Sequence, residues 1–520
     1  MLSRKRLEYK PIVPDVLRNL AQVHFKEGSG VASDSHLRPF FPKTFDNHPF
    51  LLQKGAPKKR GPLKIAALFS GGQASGGHNV LAGIFYALKT FDPHSQFFGF
   101  LNGPSGVIEN QKKELIEKEV AAYLNQGGFD FIGTGRTKIE TNEQLASSLA
   151  TCQKNNLDGL IIIGGDDSNT NAAVLAEYFL TNGCETRVIG VPKTIDGDLR
   201  SMDIELSFGF DSACKTYSEI IGNIARDAIS ARKYYHFIKL MGRSASHIAL
   251  ECALQTHPNL TLIGEERRSL DTIVQEIADL ICKRYELGKE YGVILLPEGL
   301  IEFIPEIAVL INSLNGLLAQ GKGIEQLATG EKQLFLQLPE KIQKQLLLER
   351  DPHGNVQVSQ IDTQILLMDL VKQELKKRAF KGKFSAQDHF LGYEGRSCFP
   401  TNFDANYCYA LGLLAALAVR EELTGVICSI QQLHKSPREW QLKAIPIVQL
   451  MHLEMRKGQQ KPVIRKALVD IKGPLFNQFA KVRSSWKLED HYRYPGPIQF
   501  FGDPELTDAI PLTIHPYTSF

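Results

Sequence analysis

Asp166 and Asp167 stand side by side in GGDDSN, directly after an apolar run. Two adjacent carboxylates at the end of a buried strand are costly unless a cation is present. Mg2+ suits such a pair, because it is a hard ion that takes one or two carboxylates together with phosphate oxygens. A helix N-cap is the plainer use of a single Asp; the pair points to metal or phosphate work. PKTIDGD sets Lys193 three residues before Asp196, with Asp198 beyond. A lysine there can hold a phosphate oxygen, and the aspartate can accept a proton from a hydroxyl nucleophile. Taken alone, that segment is also an ordinary Pro/Gly/Asp turn with a solvated lysine. MGRSASH places Arg243 before a helix start, where a planar guanidinium suits a phosphate. His247 and Glu251 are four apart but lack the HExxH order and a third ligand, so they read as helix surface or packing.

A glycine loop, LFSGGQASGGHN, covers residues 68–79. Glycines let backbone approach a phosphate, and a following helix start offers N–H groups to an anion. From Gly72 the spacing to Gly77 imitates an ATPase P-loop, but His78 and Asn79 stand where Lys and Ser or Thr belong. The motif alone is equally a tight strand–helix turn.

The elements that carry these groups share a pattern. Apolar runs KIAALF, DGLIIIGG, RVIGVP, YYHFIKL and YGVILLP each end in one of the polar clusters, the last in Glu298, and most lead into a helical period. Such alternation predicts βα units and a mainly parallel sheet buried on both faces. Ligands of parallel sheets bind beyond the carboxyl ends of the strands. Five clusters at equivalent places therefore predict one shared cleft.

The remaining chain is less patterned. Residues 1–60 are poorly periodic and end in the basic loop KGAPKKRGPLK, read as a solvated linker at a boundary. Residues 301–383 read as helices with no clear strand, and 406–419 as a buried helix. The expected domains are an N-terminal extension (1–60), a first βα domain (61–205, rejoined by 404–480), a second (206–300, continued by 384–403), the helical insertion (301–383) and a C-terminal segment (481–520). A chain of 520 residues is too long for one core. Its 43% hydrophobic and 22% charged residues fit a soluble globular protein. A formal net charge of +3 gives no argument for nucleic-acid or membrane binding. The eight cysteines form no CxxC pair and read as reduced packing residues. With no signal-like or membrane-spanning apolar run, a cytoplasmic location is expected by elimination.

Taken together, SGGQASGGHN, GGDDSNTNA, PKTIDGD, KYYHFIKLMGRSASHIALECALQTHPN, PEG and GYEGRSCFPTNFDANY give a chain that resembles the phosphofructokinases, and among them the long pyrophosphate-dependent form. The likeness runs from about residue 63 to 300 and resumes over about 384–413. It implies an α/β fold of two Rossmann-like parallel-sheet domains of the phosphofructokinase type, with a helical insertion and an N-terminal extension. It also implies residue roles. Gly71 would touch the phosphoryl donor and Asp166 would hold Mg2+. Asp196 would be the proton acceptor, with Thr194 and Ile195 lining the sugar-phosphate site. Met241, Gly242, Arg243, Glu298, Tyr393, Glu394, Gly395 and Arg396 would contact substrate, Arg396 at the 6-phosphate of fructose 6-phosphate. Lys233 and Tyr234 would reach a neighbouring subunit's site, which implies a homodimer or higher. Lys193 and Arg243 would neutralise charge during transfer.

ATP-using members resemble this pattern but carry glycine where this chain has Asp167 and a small residue where it has Lys193. A carboxylate at Asp167 fills space and repels a third phosphate, while Lys193 can grip a short diphosphate and offset Asp167. These two residues read as the donor switch, favouring pyrophosphate. The alternatives are an ATP-dependent phosphofructokinase, a non-catalytic regulatory subunit, a dinucleotide-binding oxidoreductase and a general sugar or nucleoside kinase. Asp167 and Lys193 speak against the first. Intact Asp166, Asp196, Arg243 and Arg396 speak against the second. The third lacks GxGxxG with its acidic partner, and the whole motif set disfavours the fourth.

Overall fold

The computed structural model describes residues 5–29, 33–56, 61–348, 356, 358–456, 459–497, 504, 508 and 510–514. The chain forms two compact units. The first comprises residues 1–213, 393–467 and 498–516; the second comprises 214–392, 468–497 and 517–520. The stretch 393–403 thus falls in the first unit, although the sequence grouped it with residues 206–300.

The first unit is built on one sheet. Five strands run parallel, in the order Val426–Gln431, Arg187–Pro192, Gly159–Gly164, Lys64–Ser70 and Gln96–Phe100. The three in the middle are nearly continuous apolar runs because helices cover both faces. Antiparallel strands extend the edges. Lys112–Glu114 pairs with Gln96–Phe100, and Gln441–Pro446, Phe50–Lys54 and Val23–Glu27 follow Val426–Gln431. Two strands of the N-terminal extension are therefore part of the sheet, not a poorly structured lead. The basic loop at its end includes residues 57–60, which lie outside the described residues.

Helix Gly77–Phe91 carries the glycine loop into the fold and lies against helix Asn402–Arg420. Their backbones meet at a glycine pair. A Cβ on Gly83 would stand 2.3 Å from the Tyr409 carbonyl oxygen and 3.0 Å from Gly412 Cα. Only glycine allows that approach, and it fixes where the helix begins.

The second unit holds a fully parallel four-stranded sheet: Leu260–Thr261, Tyr291–Pro297, Tyr234–Leu240 and Ala386–Leu391. Helices Pro305–Ala319, Thr329–Gln337, Glu340–Leu346 and Thr363–Lys377 form the insertion and share one apolar core with that sheet. Helix Pro474–Trp486 belongs to the same unit, and Trp486 stacks on His257 with ring centroids 4.0 Å apart. All eight cysteines are free, six of them buried. Among the described residues no helix is long and apolar enough to cross a membrane.

Candidate active site

The clusters divide between the units. The loops after Lys64–Ser70, Gly159–Gly164 and Arg187–Pro192 lie in the first, and those after Tyr234–Leu240 and Tyr291–Pro297 in the second.

In the first unit, strand Lys64–Ser70 ends at Gly71, whose φ of +87° lies in the left-handed region. Its N–H donates to Gly135 O at 2.8 Å, and Thr134 Oγ1 donates to its carbonyl at 2.8 Å. The loop therefore presents its Cα face, and two cations stand over it. A Cβ on Gly71 would lie 3.3 Å from Lys193 Nζ, and one on Gly72 would lie 2.7 Å from the Arg396 guanidinium. Arg396 also bonds Gln73 and rests over the Tyr393 ring. Tyr393 and Glu394 are exposed and Gly395 is buried. The resemblance places Arg396 at the sugar's 6-phosphate, whereas in this structure its guanidinium rests on the donor loop.

Helix Asp166–Thr181 starts where strand Gly159–Gly164 stops. Gly165 is its N-cap, without a side-chain capping bond, and both aspartates sit in the first turn. They are not caps, and the positive end of the helix favours their charge. The turn is pinned to the glycine loop by a Ser168–Ser70 hydroxyl bond of 2.8 Å and to its own strand by Asn169 Nδ2 donating to Gly164 O at 2.7 Å.

Lys193 follows strand Arg187–Pro192 and is only 5% exposed. Burial holds its ammonium down to about 8; Asp196 and Asp166 pull it up, while Arg396 and Arg136 push it down. Asp196 is half-buried, and its N–H donates to Thr194 Oγ1 at 3.1 Å. Ile195 is buried beside it. Asp198 is pushed up to about 7, chiefly by burial and then by Asp196 and Asp166, with Lys466 acting the other way. Asp167 differs from the sequence expectation. Its carboxylate pairs with Lys138 Nζ at 3.1 Å, and the carboxylates that act on Lys193 are Asp196 and Asp166.

Asp166 and Asp196 both repel the Asp198 carboxylate, and Asp166 offers a hard oxygen of the kind Mg2+ takes. Among the described residues, no group of three or more His, Cys, Asp or Glu could itself hold a metal ion. An ion at Asp166 would therefore take further oxygens from a phosphate, as Mg2+ ordinarily does.

Arg136, Lys138 and Lys466 escaped the sequence reading. Arg136 and Lys138 follow the two-residue strand Thr134–Gly135, which pairs with the end of Lys64–Ser70. The signal for them was the basic, glycine-flanked GTGRTK. Lys466 offered none.

In the second unit, Met241, Gly242 and Arg243 form the loop after Tyr234–Leu240. Gly242 has a φ of +130°, and its N–H donates to Glu298 Oε2 at 3.0 Å. Glu298 is 1% exposed, and its own N–H donates to Leu240 O at 2.8 Å. Glu298 thus braces the loop from below, and Arg243 is left exposed. Buried Lys239 donates to Ile361 O at 3.1 Å, tying this strand to the insertion. His247 and Glu251 are both buried, which makes them packing residues. Lys233 is exposed at the strand's start, and Tyr234 takes a φ of +69°, a strained conformation for a bulky residue.

The arrangement can hold a short polyanion between Lys193, Arg396 and a carboxylate-bound cation, with Asp196 beside it as a base. Residues 64–419 match the phosphofructokinase family. The chain is 48% identical to the pyrophosphate–fructose 6-phosphate 1-phosphotransferase of Treponema pallidum, over 99% of this chain and 96% of that one. It is 52% identical to subunit beta 1 of the Arabidopsis thaliana enzyme of that name, over 86% of this chain and 81% of that one. A solved pyrophosphate-dependent phosphofructokinase from Nitrosospira multiformis has the same fold, with a TM-score of 0.55 at 17% identity over 74% of this chain and 83% of that one. The chain belongs to the phosphofructokinase family.

Proposed function

We propose that this chain moves the terminal phosphoryl group of pyrophosphate to the C1 hydroxyl of fructose 6-phosphate, giving fructose 1,6-bisphosphate and phosphate. The observation that carries the donor assignment is Lys193, a buried ammonium directed at Gly71, with Arg396 over Gly72. Two cations against so short a loop match a diphosphate, and Asp167 occupies the helix turn beside it.

Asp196 takes the proton of the C1 hydroxyl, and the oxygen attacks the terminal phosphorus in line. The P–O bond to the leaving phosphate breaks, and its electrons pass to that phosphate. Lys193 and Arg396 offset the charge on the transferring group, and in the second unit Glu298 fixes the loop that carries Arg243, a further cation for phosphate. Thr194, Ile195, Met241, Gly242 and the Tyr393–Arg396 turn orient the substrates. Asp166 would hold Mg2+, which would supply further charge neutralisation to the diphosphate. A phosphoanhydride is exchanged for a phosphate ester without nucleotide, so both directions run at usable rates. Lys233 and strained Tyr234 serve a neighbouring copy's site in a homodimer or higher assembly. The reaction belongs to glycolysis or gluconeogenesis in the cytoplasm.

The test is phosphorylation of fructose 6-phosphate with Mg2+, comparing pyrophosphate with ATP. Activity with pyrophosphate alone supports the reading; activity with ATP alone overturns the donor assignment, and activity with neither overturns catalysis. Asp196→Ser should lower kcat by roughly 10²- to 10⁴-fold, the usual worth of a general base. Full activity in that variant would remove Asp196 from the mechanism.

A further inference from the structure

Lys466 lies beyond residues 64–419, the part that matches the family. It follows the hairpin Met451–Arg456 and Gln459–Ile464, whose last residues reach helix Asp166–Thr181: Ile464 N–H donates to Thr170 Oγ1 at 3.3 Å. The next residues lie on the TIDGD loop, where Ala467 N–H donates to Asp198 O at 2.8 Å. Between these two anchors, Lys466 Nζ stands 3.7 Å from Asp166 Oδ2 and is also felt by Asp198.

As a stabilising ion pair this contact is poor. It is long, and the lysine side chain is 38% exposed; such pairs contribute at most about 1 kcal/mol. A divalent cation on Asp166 would repel the ammonium from that carboxylate. The two backbone anchors would keep the side chain within the donor site, and the nearest new counter-charge would be the diphosphate itself.

We propose that Lys466 is a further pyrophosphate-binding residue, a cation delivered to the donor site by the segment outside the family domain, which rests on Asp166 until metal and diphosphate arrive. This rests on the pyrophosphate reading of the donor site. Lys466 complements Lys193 and Arg396, because its ammonium stands at Asp166 while theirs stand at Gly71 and Gly72.

The test uses the full-length chain and Lys466→Met, which keeps the length of the side chain and leaves the Ala467 backbone bond in place. Calorimetric binding of imidodiphosphate, a non-hydrolysable diphosphate, is measured with Mg2+ present. The proposal expects binding about tenfold weaker, a matching rise in KM for pyrophosphate, an unchanged KM for fructose 6-phosphate and partial rescue by Lys466→Arg. Unchanged imidodiphosphate affinity overturns it. So does an equal rise in both KM values, which marks a general folding defect. If the wild-type chain binds imidodiphosphate and Lys466→Met weakens it, while turnover is seen only with ATP, the pyrophosphate reading fails and Lys466 remains a phosphate ligand.

Discussion

Lys193→Met should make the resting protein more stable while destroying its hold on diphosphate. An ordinary lysine titrates near 10.5, and this one is held down to about 8, chiefly by burial. At about 1.4 kcal/mol per tenfold change in proton affinity, the charged form is disfavoured by about 3 kcal/mol. The sign follows from proton binding. Between about pH 8 and 10.5 the unfolded chain keeps a proton that the folded site has released, so stability rises with pH across that window. Below pH 8 the penalty is fully present. Methionine carries no such penalty and has nearly the same length, so at neutral pH the variant should be more stable by up to about 3 kcal/mol. The advantage should shrink as pH climbs towards 10.5, because the folded wild type then buries a neutral amine and the unfolded lysine is itself starting to lose its proton. Urea unfolding at neutral pH and at about pH 10 measures it. Added pyrophosphate should stabilise the wild type and not the variant. The reasoning fails if the variant is less stable at neutral pH, or if its advantage is the same at both pH values. Either result would mean that the ammonium is satisfied by its carboxylates in the empty site and is not held there against its burial.

Lys138→Met removes an ammonium that pairs with Asp167 and so adds net negative charge beside the donor; KM for pyrophosphate should rise about fivefold, equivalent to about 1 kcal/mol. Adding Asp167→Asn should restore it, and a rise that persists in the double variant would show that Lys138 acts independently of Asp167. Glu298→Ala strips the Gly242 N–H of its buried acceptor, a loss of about 1–3 kcal/mol. Steady-state kinetics should show KM for fructose 6-phosphate raised roughly ten- to hundredfold, with KM for pyrophosphate unchanged; a parallel loss for both substrates would contradict a local bracing role.

The parts of the fold that the sequence made legible are those in which burial is symmetric. Strands Lys64–Ser70, Gly159–Gly164, Arg187–Pro192, Tyr234–Leu240 and Tyr291–Pro297 are covered on both faces, so each is an unbroken apolar run that ends abruptly in charge. Strands Val23–Glu27 and Ala386–Leu391 sit at sheet edges with half-exposed faces, and their mixed composition hid them. The site divides along the same line. Asp166, Lys193, Asp196, Arg243 and Glu298 were visible because each closes a buried run. Arg136 and Lys138 follow a strand only two residues long, and Lys466 follows a hairpin of mixed burial, so their surroundings gave no contrast. Lys193 was read as offsetting Asp167, yet the carboxylate of Asp167 pairs with Lys138, and Asp196 and Asp166 are the carboxylates that act on Lys193. Neutralising a diphosphate depends on several loops converging, and a cation supplied by a distant loop leaves no mark on its own stretch of chain. The carboxylates do leave one, because several of them crowd the ends of buried strands and Asp198 is itself buried; GGDD and TIDGD therefore imply cations that only the fold can name.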